Sequence, residues 1–155
     1  RATGTGALIL AAARGRLPVL VDTRLSLVDI DDCARGHLLA AERGRPGERY
    51  VLNSFTIPVR EALGLLAAEP GVPVRVPLLP PALVGWPVVA LAAAAERAFR
   101  LLGRDAPLCP AMVRTFRHGH AYDGSKAARE LGLEYTGPAA LIRRLVAWYR
   151  ADGLV

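Results

Sequence analysis

Tyr122 and Lys126 stand four residues apart. A lysine one helical turn beyond a tyrosine lowers the phenol's pKa, and such a pair can protonate a carbonyl. The geometry requires both residues on one helix. Asp123–Gly124–Ser125 lies between them and reads as a helix start with Tyr122 outside it. His118 and His120 lie two apart in an irregular stretch near Arg114 and Arg117, a set that meets an anionic substrate or is simply solvated. His37 falls on an apolar helical face, where a hydrogen-bonded core histidine is the ordinary expectation.

The remaining motifs exclude more than they offer. Cys33 and Cys109 have neither metal-ligand spacing nor a histidine cluster to complete a site. They read as reduced, partly buried thiols in a cytoplasmic protein. Gly4 and Gly6 precede a helix, but a dinucleotide-binding turn needs an apolar strand before it and a third glycine at the right offset. Helix capping explains them better. No glycine-rich phosphate loop, Gly-x-Ser-x-Gly elbow or His-Glu-x-x-His is present.

The elements that must position these residues begin at Leu25–Ile30, a short apolar run that reads as a mostly buried strand. Asp31 is the expected cap of the helix that follows, with Ile30, Cys33, Ala34, His37, Leu38 and Ala41 on its core face. Before this unit come a helix over 3–14, in which Leu8, Ile9 and Ala12 share a face, and a strand over 18–22. After it come a strand over 49–53, then a helix capped by Thr56 with Leu63, Leu66 and Ala67 inward. An edge strand is expected over 72–76, where Pro73 cannot donate to a ladder. Residues 107–117 read as a helix with Met112 and Phe116 on one side. A helix over 126–131 ends at Gly132, and Pro138 opens a final helix. Leu141, Ile142, Leu145, Trp148 and Tyr149 are its expected core face.

The 155 residues amount to one domain, and 52% hydrophobic content supports a real core. The formal charge of +6 raises nucleic acid as a partner. However, the arginines are scattered and Lys126 is the only lysine, so no phosphate-tracking stripe forms and no nucleic-acid partner is expected. Residues 76–95 carry no charge, yet Pro77, Pro80, Pro81 and Pro87 interrupt them and the mean hydropathy is only +0.27. A helix lining a greasy pocket or resting on a lipid surface fits better than a membrane span. No signal peptide is apparent at the start.

Several stretches together resemble one family, the extended short-chain dehydrogenases/reductases of the NAD(P)-dependent epimerase/dehydratase type. Gly15–Arg16–Leu17–Pro18 before a strand, then Val28–Asp29–Ile30–Asp31–Asp32–Cys33–Ala34, is similar to the family's late strand and helix. Gly47–Glu48–Arg49–Tyr50–Val51–Leu52 is similar to the strand after it. Ser125 to Gly132, followed by Trp148–Tyr149–Arg150, is similar to the carboxy-terminal signature. The nearest likeness is to the dihydroflavonol-reductase-like and hopanoid-associated sugar-epimerase group, which has a comparable Ala-rich helix after a Leu-Pro segment.

The resemblance implies an α/β fold, the C-terminal part of an extended Rossmann-type enzyme, with short mixed strands and more helix than strand. Residues 1–53 would join the Rossmann sheet and residues 54–155 would form a substrate lid. The dinucleotide-binding half, with its glycine-rich turn and true Tyr-x-x-x-Lys, would lie outside this chain. NAD(P) would then be a cofactor of the intact protein, with none expected on this portion alone and no catalytic residue within it. Leu25 stands where sugar-nucleotide epimerases carry a phosphate-binding arginine, with Arg24 adjacent, and Arg117 is the nearest analogue of a second one. A lipid-like or polyphenol-like carbonyl substrate therefore fits better than a sugar nucleotide. Arg24, Arg117, His118 and His120 are the expected substrate contacts. The missing half is the expected partner, with homo-oligomers and peripheral lipid contact as further expectations. The rival reading is a non-catalytic module that contacts lipid or a partner protein through residues 78–95.

Overall fold

A computed structural model describes residues 4–101, Gly103, Gly119 and residues 121–155. The expected helix over 107–117 lies outside the described residues, as do Cys109, Arg117, His118 and His120. In chain order the elements are α1 (Gly4–Ala13), β1 (Leu20–Val21), β2 (Arg24–Leu27), α2 (Ile30–Arg43), β3 (Phe55–Pro58) and α3 (Val59–Ala67). There follow β4 (Leu78–Leu79), a 3₁₀ turn (Pro81–Leu83), α4 (Trp86–Leu101), α5 (Ser125–Leu131) and α6 (Pro138–Ala151). Helix predominates over strand, as expected.

Two small ladders organise the chain. β1 runs parallel to β4, with Leu20 opposite Leu78. β2 and β3 are antiparallel, with Arg24 opposite Pro58 and Leu27 opposite Phe55. The alternation of side chains sends Leu25, Leu27, Phe55 and Ile57 to one face and Ser26 and Thr56 to the other. The apolar face meets a core of Ala12, Ala13, Leu66, Leu141, Ile142 and Val146, drawn from α1, α3 and α6. A second, smaller core joins Ala127, Leu131 and Leu133 to Leu39, Ala40, Tyr50 and Leu52.

The start of α2 differs from expectation. Asp29, not Asp31, is its N-cap, and the Asp29 carboxylate accepts from the Asp31 N–H at 2.9 Å. The strand accordingly ends at Leu27 rather than Ile30. The helix is also rotated relative to its apolar stripe. Asp32 and Gly36 are buried, while Ile30 and Leu38 are 78% and 65% exposed. Ala34, His37 and Ala41 face outward with them. The reason is close packing on the other side: a Cβ on Gly36 would lie 2.6 Å from a Leu52 methyl. His37 is therefore a surface residue, with Nδ1 only 2.8 Å from the Cys33 carbonyl oxygen one turn back.

Asp32 pays for its burial with partners at both oxygens: the Arg35 guanidinium donates at 3.0 Å and the Thr136 N–H at 2.6 Å. Thr56 belongs to β3, and Pro58 takes the N-cap position of α3 that Thr56 was expected to hold. α3 buries Val59, Ala62 and Leu66, with Leu63 half-buried and Ala67 exposed. α1 buries Leu10, Ala12 and Ala13 rather than the Leu8, Ile9 and Ala12 face. α6 buries Leu141, Ile142 and Tyr149 as expected and Val146 besides, whereas Leu145 is half-buried and Trp148 is 41% exposed.

The strand expected at 18–22 reduces to Leu20–Val21, whereas 72–76 form no strand, β1 pairing instead with Leu78–Leu79, and residues 49–53 form no ladder. A strand exists only where a second one lies beside it, and among the described residues 49–53 and 72–76 have no such neighbour. α4 buries none of its residues fully. No helix of the described residues is long and apolar enough to cross a membrane.

Candidate functional site

β1 and β4 are parallel, so their carboxyl ends meet at one edge of the molecule. Ligands of parallel α/β sheets gather at such ends because loops, not ladders, leave backbone and side chains free there. Here the chain turns directly. The Asp22 N–H donates to the Leu79 carbonyl at 2.9 Å and the Thr23 N–H to Val21 at 2.9 Å. The Val59 N–H then donates to the Thr23 carbonyl at 2.8 Å, which seats the start of α3 beside the start of β2. The Arg60 guanidinium pairs with Asp22, and that carboxylate raises the guanidinium's pKa.

Arg24 lies at this edge as an exposed residue opening β2. Gly119 packs onto the same place with φ at +66°, where a Cβ would lie 2.3 Å from Thr23 Oγ1 and 3.1 Å from the Arg24 nitrogen. Only glycine combines that backbone conformation with that approach. Gly119 thus lies against Arg24, one of the expected substrate contacts. His118, His120 and Arg117 themselves lie outside the described residues.

Beyond Gly119, residues 121–124 cross the polar face of the β2–β3 ladder. Ser26 Oγ accepts from the Tyr122 N–H at 3.2 Å. Asn53 Nδ2 donates to the Tyr122 carbonyl at 2.7 Å, and Thr56 Oγ1 donates to the same oxygen at 3.3 Å. Ser26 Oγ and Thr56 Oγ1 are 2.8 Å apart, so the two hydroxyls complete the network. A cleft of about 290 Å³ opens alongside, lined by Asn53, Thr56, Tyr122, Ser125 and Tyr135 among others. Burial raises the Tyr135 phenol's pKa, and its hydroxyl donates to the Gly124 carbonyl at 3.2 Å. Hydrogen bonds from the N–H and hydroxyl of Ser125 hold the Asp123 carboxyl below its usual range.

Tyr122 and Lys126 do not act as an acid pair. α5 begins at Ser125, so Tyr122 is off the helix that carries Lys126. The Lys126 ammonium instead pairs with Glu48, bonds the Arg49 carbonyl at 3.2 Å and sits 4.9 Å from the centre of the Tyr50 ring. Its hydrogen bond to Glu48 raises its pKa.

The glycines at the start do not precede and cap α1 as expected. Gly4 and Gly6 are residues of α1 itself, and the Gly6 carbonyl turns inward to accept from Tyr149 Oη at 2.6 Å. No cluster of His, Cys, Asp or Glu among the described residues could hold a metal. Reasoning from sequence named Thr56 only as a helix cap and did not single out Ser26 or Asn53. The polar alternation of 24–27 and 55–58 marks a face for Ser26 and Thr56 but not what covers it.

No family model matches the chain. It is 33% identical to a putative dihydroflavonol 4-reductase of Synechocystis over 99% of this chain and 45% of that protein. It is 30% identical to sterol demethylase protein B of Methylococcus capsulatus over 97% of this chain and 45% of that one. A crystal structure of a nucleoside-diphosphate-sugar epimerase from Pseudomonas aeruginosa superposes with a TM-score of 0.64 at 26% identity, over 97% of this chain and 43% of that chain. The chain thus spans somewhat less than half the length of each.

Proposed function

The chain is related to the extended short-chain dehydrogenases/reductases of the NAD(P)-dependent epimerase/dehydratase type, matching their carboxy-terminal half, and on that premise we propose that it is a substrate-binding portion of an NAD(P)-dependent reductase or epimerase. The substrate is a carbonyl or sugar-type compound, and the relatives' names favour a polyphenol or sterol-like carbonyl. One observation carries the reading: Gly119 packs against Thr23 and Arg24 at the carboxyl ends of β1 and β4. Arg24 contacts substrate there, Arg117, His118 and His120, outside the described residues, are the further substrate contacts, and Tyr122 walls the neighbouring cleft.

The cofactor is held elsewhere. Gly4 and Gly6 lie within α1 and form no glycine-rich turn after a strand, and hydride transfer belongs to a dinucleotide-binding half. Residues 1–53 join that half's sheet, and residues 54–155 supply most of the lid. The antiparallel pairing of β2 with β3 ties the two parts into one unit.

The test is a chimera in which the amino-terminal remainder of the Synechocystis relative precedes this chain. It is expected to oxidise NADPH when given a dihydroflavonol, while the 155-residue chain alone binds no NADPH by calorimetry. Tight NADPH binding and turnover by the isolated chain would overturn the proposal.

A second reading is supported by exposure on α4, where Trp86 and Leu91 are 79% and 71% exposed, with Leu83 at 63% just before it. In that reading residues 78–95 rest on lipid or a partner protein. Salt-insensitive co-sedimentation of the chain with phosphatidylcholine vesicles, lost in Trp86→Asp, would favour it over the first.

A further inference from the structure

The cleft beside Tyr122 combines aromatic rings with polar groups. Phe55, Tyr122 and Tyr135 supply the rings, and Asn53, Asp123 and Ser125 supply polar atoms. Its volume of about 290 Å³ is just below the roughly 300–1,000 Å³ of sites that enclose a whole small ligand. It therefore takes one ring rather than an entire polycyclic molecule. Three hydroxyl donors of the lining are already spent: Thr56 Oγ1 on the Tyr122 carbonyl, Ser125 Oγ on Asp123, and Tyr135 Oη on the Gly124 carbonyl. Asn53, only 6% exposed, spends its amide hydrogens on the Tyr122 carbonyl and on Thr56 Oγ1. Its Oδ1 accepts from no described residue. No sealed side-chain oxygen or nitrogen among the described residues lacks a partner, so that oxygen opens to solvent, and the cleft is where Asn53 meets it.

We infer that this cleft is a subsite for a hydroxylated aromatic ring of the substrate, with the ring against Tyr122 and its hydroxyl donating to Asn53 Oδ1 or the Asp123 carboxylate. Acceptors left open beside spent donors call for a ligand that donates. The aromatic walls favour a flat ring with a π-face over a saturated one. An ammonium also donates, but a cation is already in place: Arg129 Nη1 donates to Ser125 Oγ at 2.8 Å, and its charge bears on Asp123. The chain's net charge of +6 opposes a second cation further. Alternation puts Arg24 and Ser26 on one face of β2, and Ser26 binds the Tyr122 N–H, so the cleft continues the edge where Arg24 stands. This inference rests on the function proposed above and selects the polyphenol from the two carbonyl classes named there.

Phenol, cyclohexanol and benzylamine are titrated separately into the isotope-labelled 155-residue chain, with amide chemical shifts as the readout. Phenol is expected to bind with a Kd of roughly 1–10 mM, the strength of a fragment, and to move the amides of residues 53–56 and 122–125. Cyclohexanol and benzylamine are expected to bind about fivefold more weakly or worse. Tyr122→Leu keeps the backbone groups that meet Ser26 and Asn53, and is expected to weaken phenol about fivefold while the rest of the spectrum is retained. If that variant unfolds, the two control probes on the parent chain decide alone. Absent phenol binding, shifts that avoid the cleft, equal or tighter binding of either control, or unchanged phenol affinity in a folded Tyr122→Leu each overturn the inference. Turnover of a dihydroflavonol by the chimera without phenol binding in the cleft overturns the subsite but leaves the proposed function standing. Phenol binding in the cleft with an inactive chimera does the reverse.

Discussion

Gly124 approaches Asn53 so closely that a Cβ on the glycine would lie 2.0 Å from the Asn53 carbonyl oxygen. The contact is to backbone, which cannot swing aside as a flexible side chain can. It fixes the end of residues 121–124 against the start of β3, and Asn53 then holds the Tyr122 carbonyl.

Gly124→Ala is therefore expected to destabilise the chain by about 1–3 kcal/mol, the usual cost of overpacking, read as a lower urea midpoint. Gly64→Ala is the control. It sits exposed within α3 with nothing near its missing Cβ, and is expected to stabilise by about 0.5–1 kcal/mol. Equal effects of the two would refute the close-approach argument.

Asp32 joins α2 to the segment before α6 through the Thr136 N–H, 104 positions away in sequence. Asp32→Ala leaves that buried donor unsatisfied and is expected to cost about 1–3 kcal/mol. Asp31→Ala, at an exposed partner of Arg144, is expected to cost less than about 1 kcal/mol by the same chemical denaturation.

Tyr149 is fully buried and its hydroxyl donates to the Gly6 carbonyl, tying α6 to α1. Burial pushes its pKa up to about 12 from 10. The unfolded chain releases this proton near pH 10 while the folded one retains it. This contribution to stability is thus whole below about pH 10 and declines between about pH 10 and 12. Tyr149→Phe is expected to lose about 0.5–1.5 kcal/mol at neutral pH and to show a shallower alkaline decline than the parent. Parallel decline curves would show that Tyr149 does not titrate as described.

Lys126→Met in the chimera is expected to leave kcat and KM for a dihydroflavonol within about twofold, because Lys126 serves Glu48 and Tyr50 on the surface. Arg24→Ala is expected to lower kcat/KM by roughly 10-fold or more, the usual loss for a charge-assisted contact. A large loss from Lys126→Met with none from Arg24→Ala would reverse the assignment.

Much of this was legible in the sequence. The resemblance ran through the 28–34, 47–52 and 125–132 stretches, and the homologues carry the same family. Glycine stops and helical spacing located α5 and the core face of α6, since capping and periodicity are local properties. Asp123–Gly124–Ser125 correctly separated Tyr122 from Lys126, because helix starts are written in a few adjacent residues. Tertiary packing decided the rest. α2 has an apolar stripe, but only the presence of Leu52, Leu133 and α5 on its other side determines which face is inward. Residues 49–53 have strand composition, but a strand is a relation between two segments and cannot form alone. The contact of Gly119 with Arg24 likewise joins positions 95 apart in number, a proximity that no local pattern encodes and only the closed chain produces.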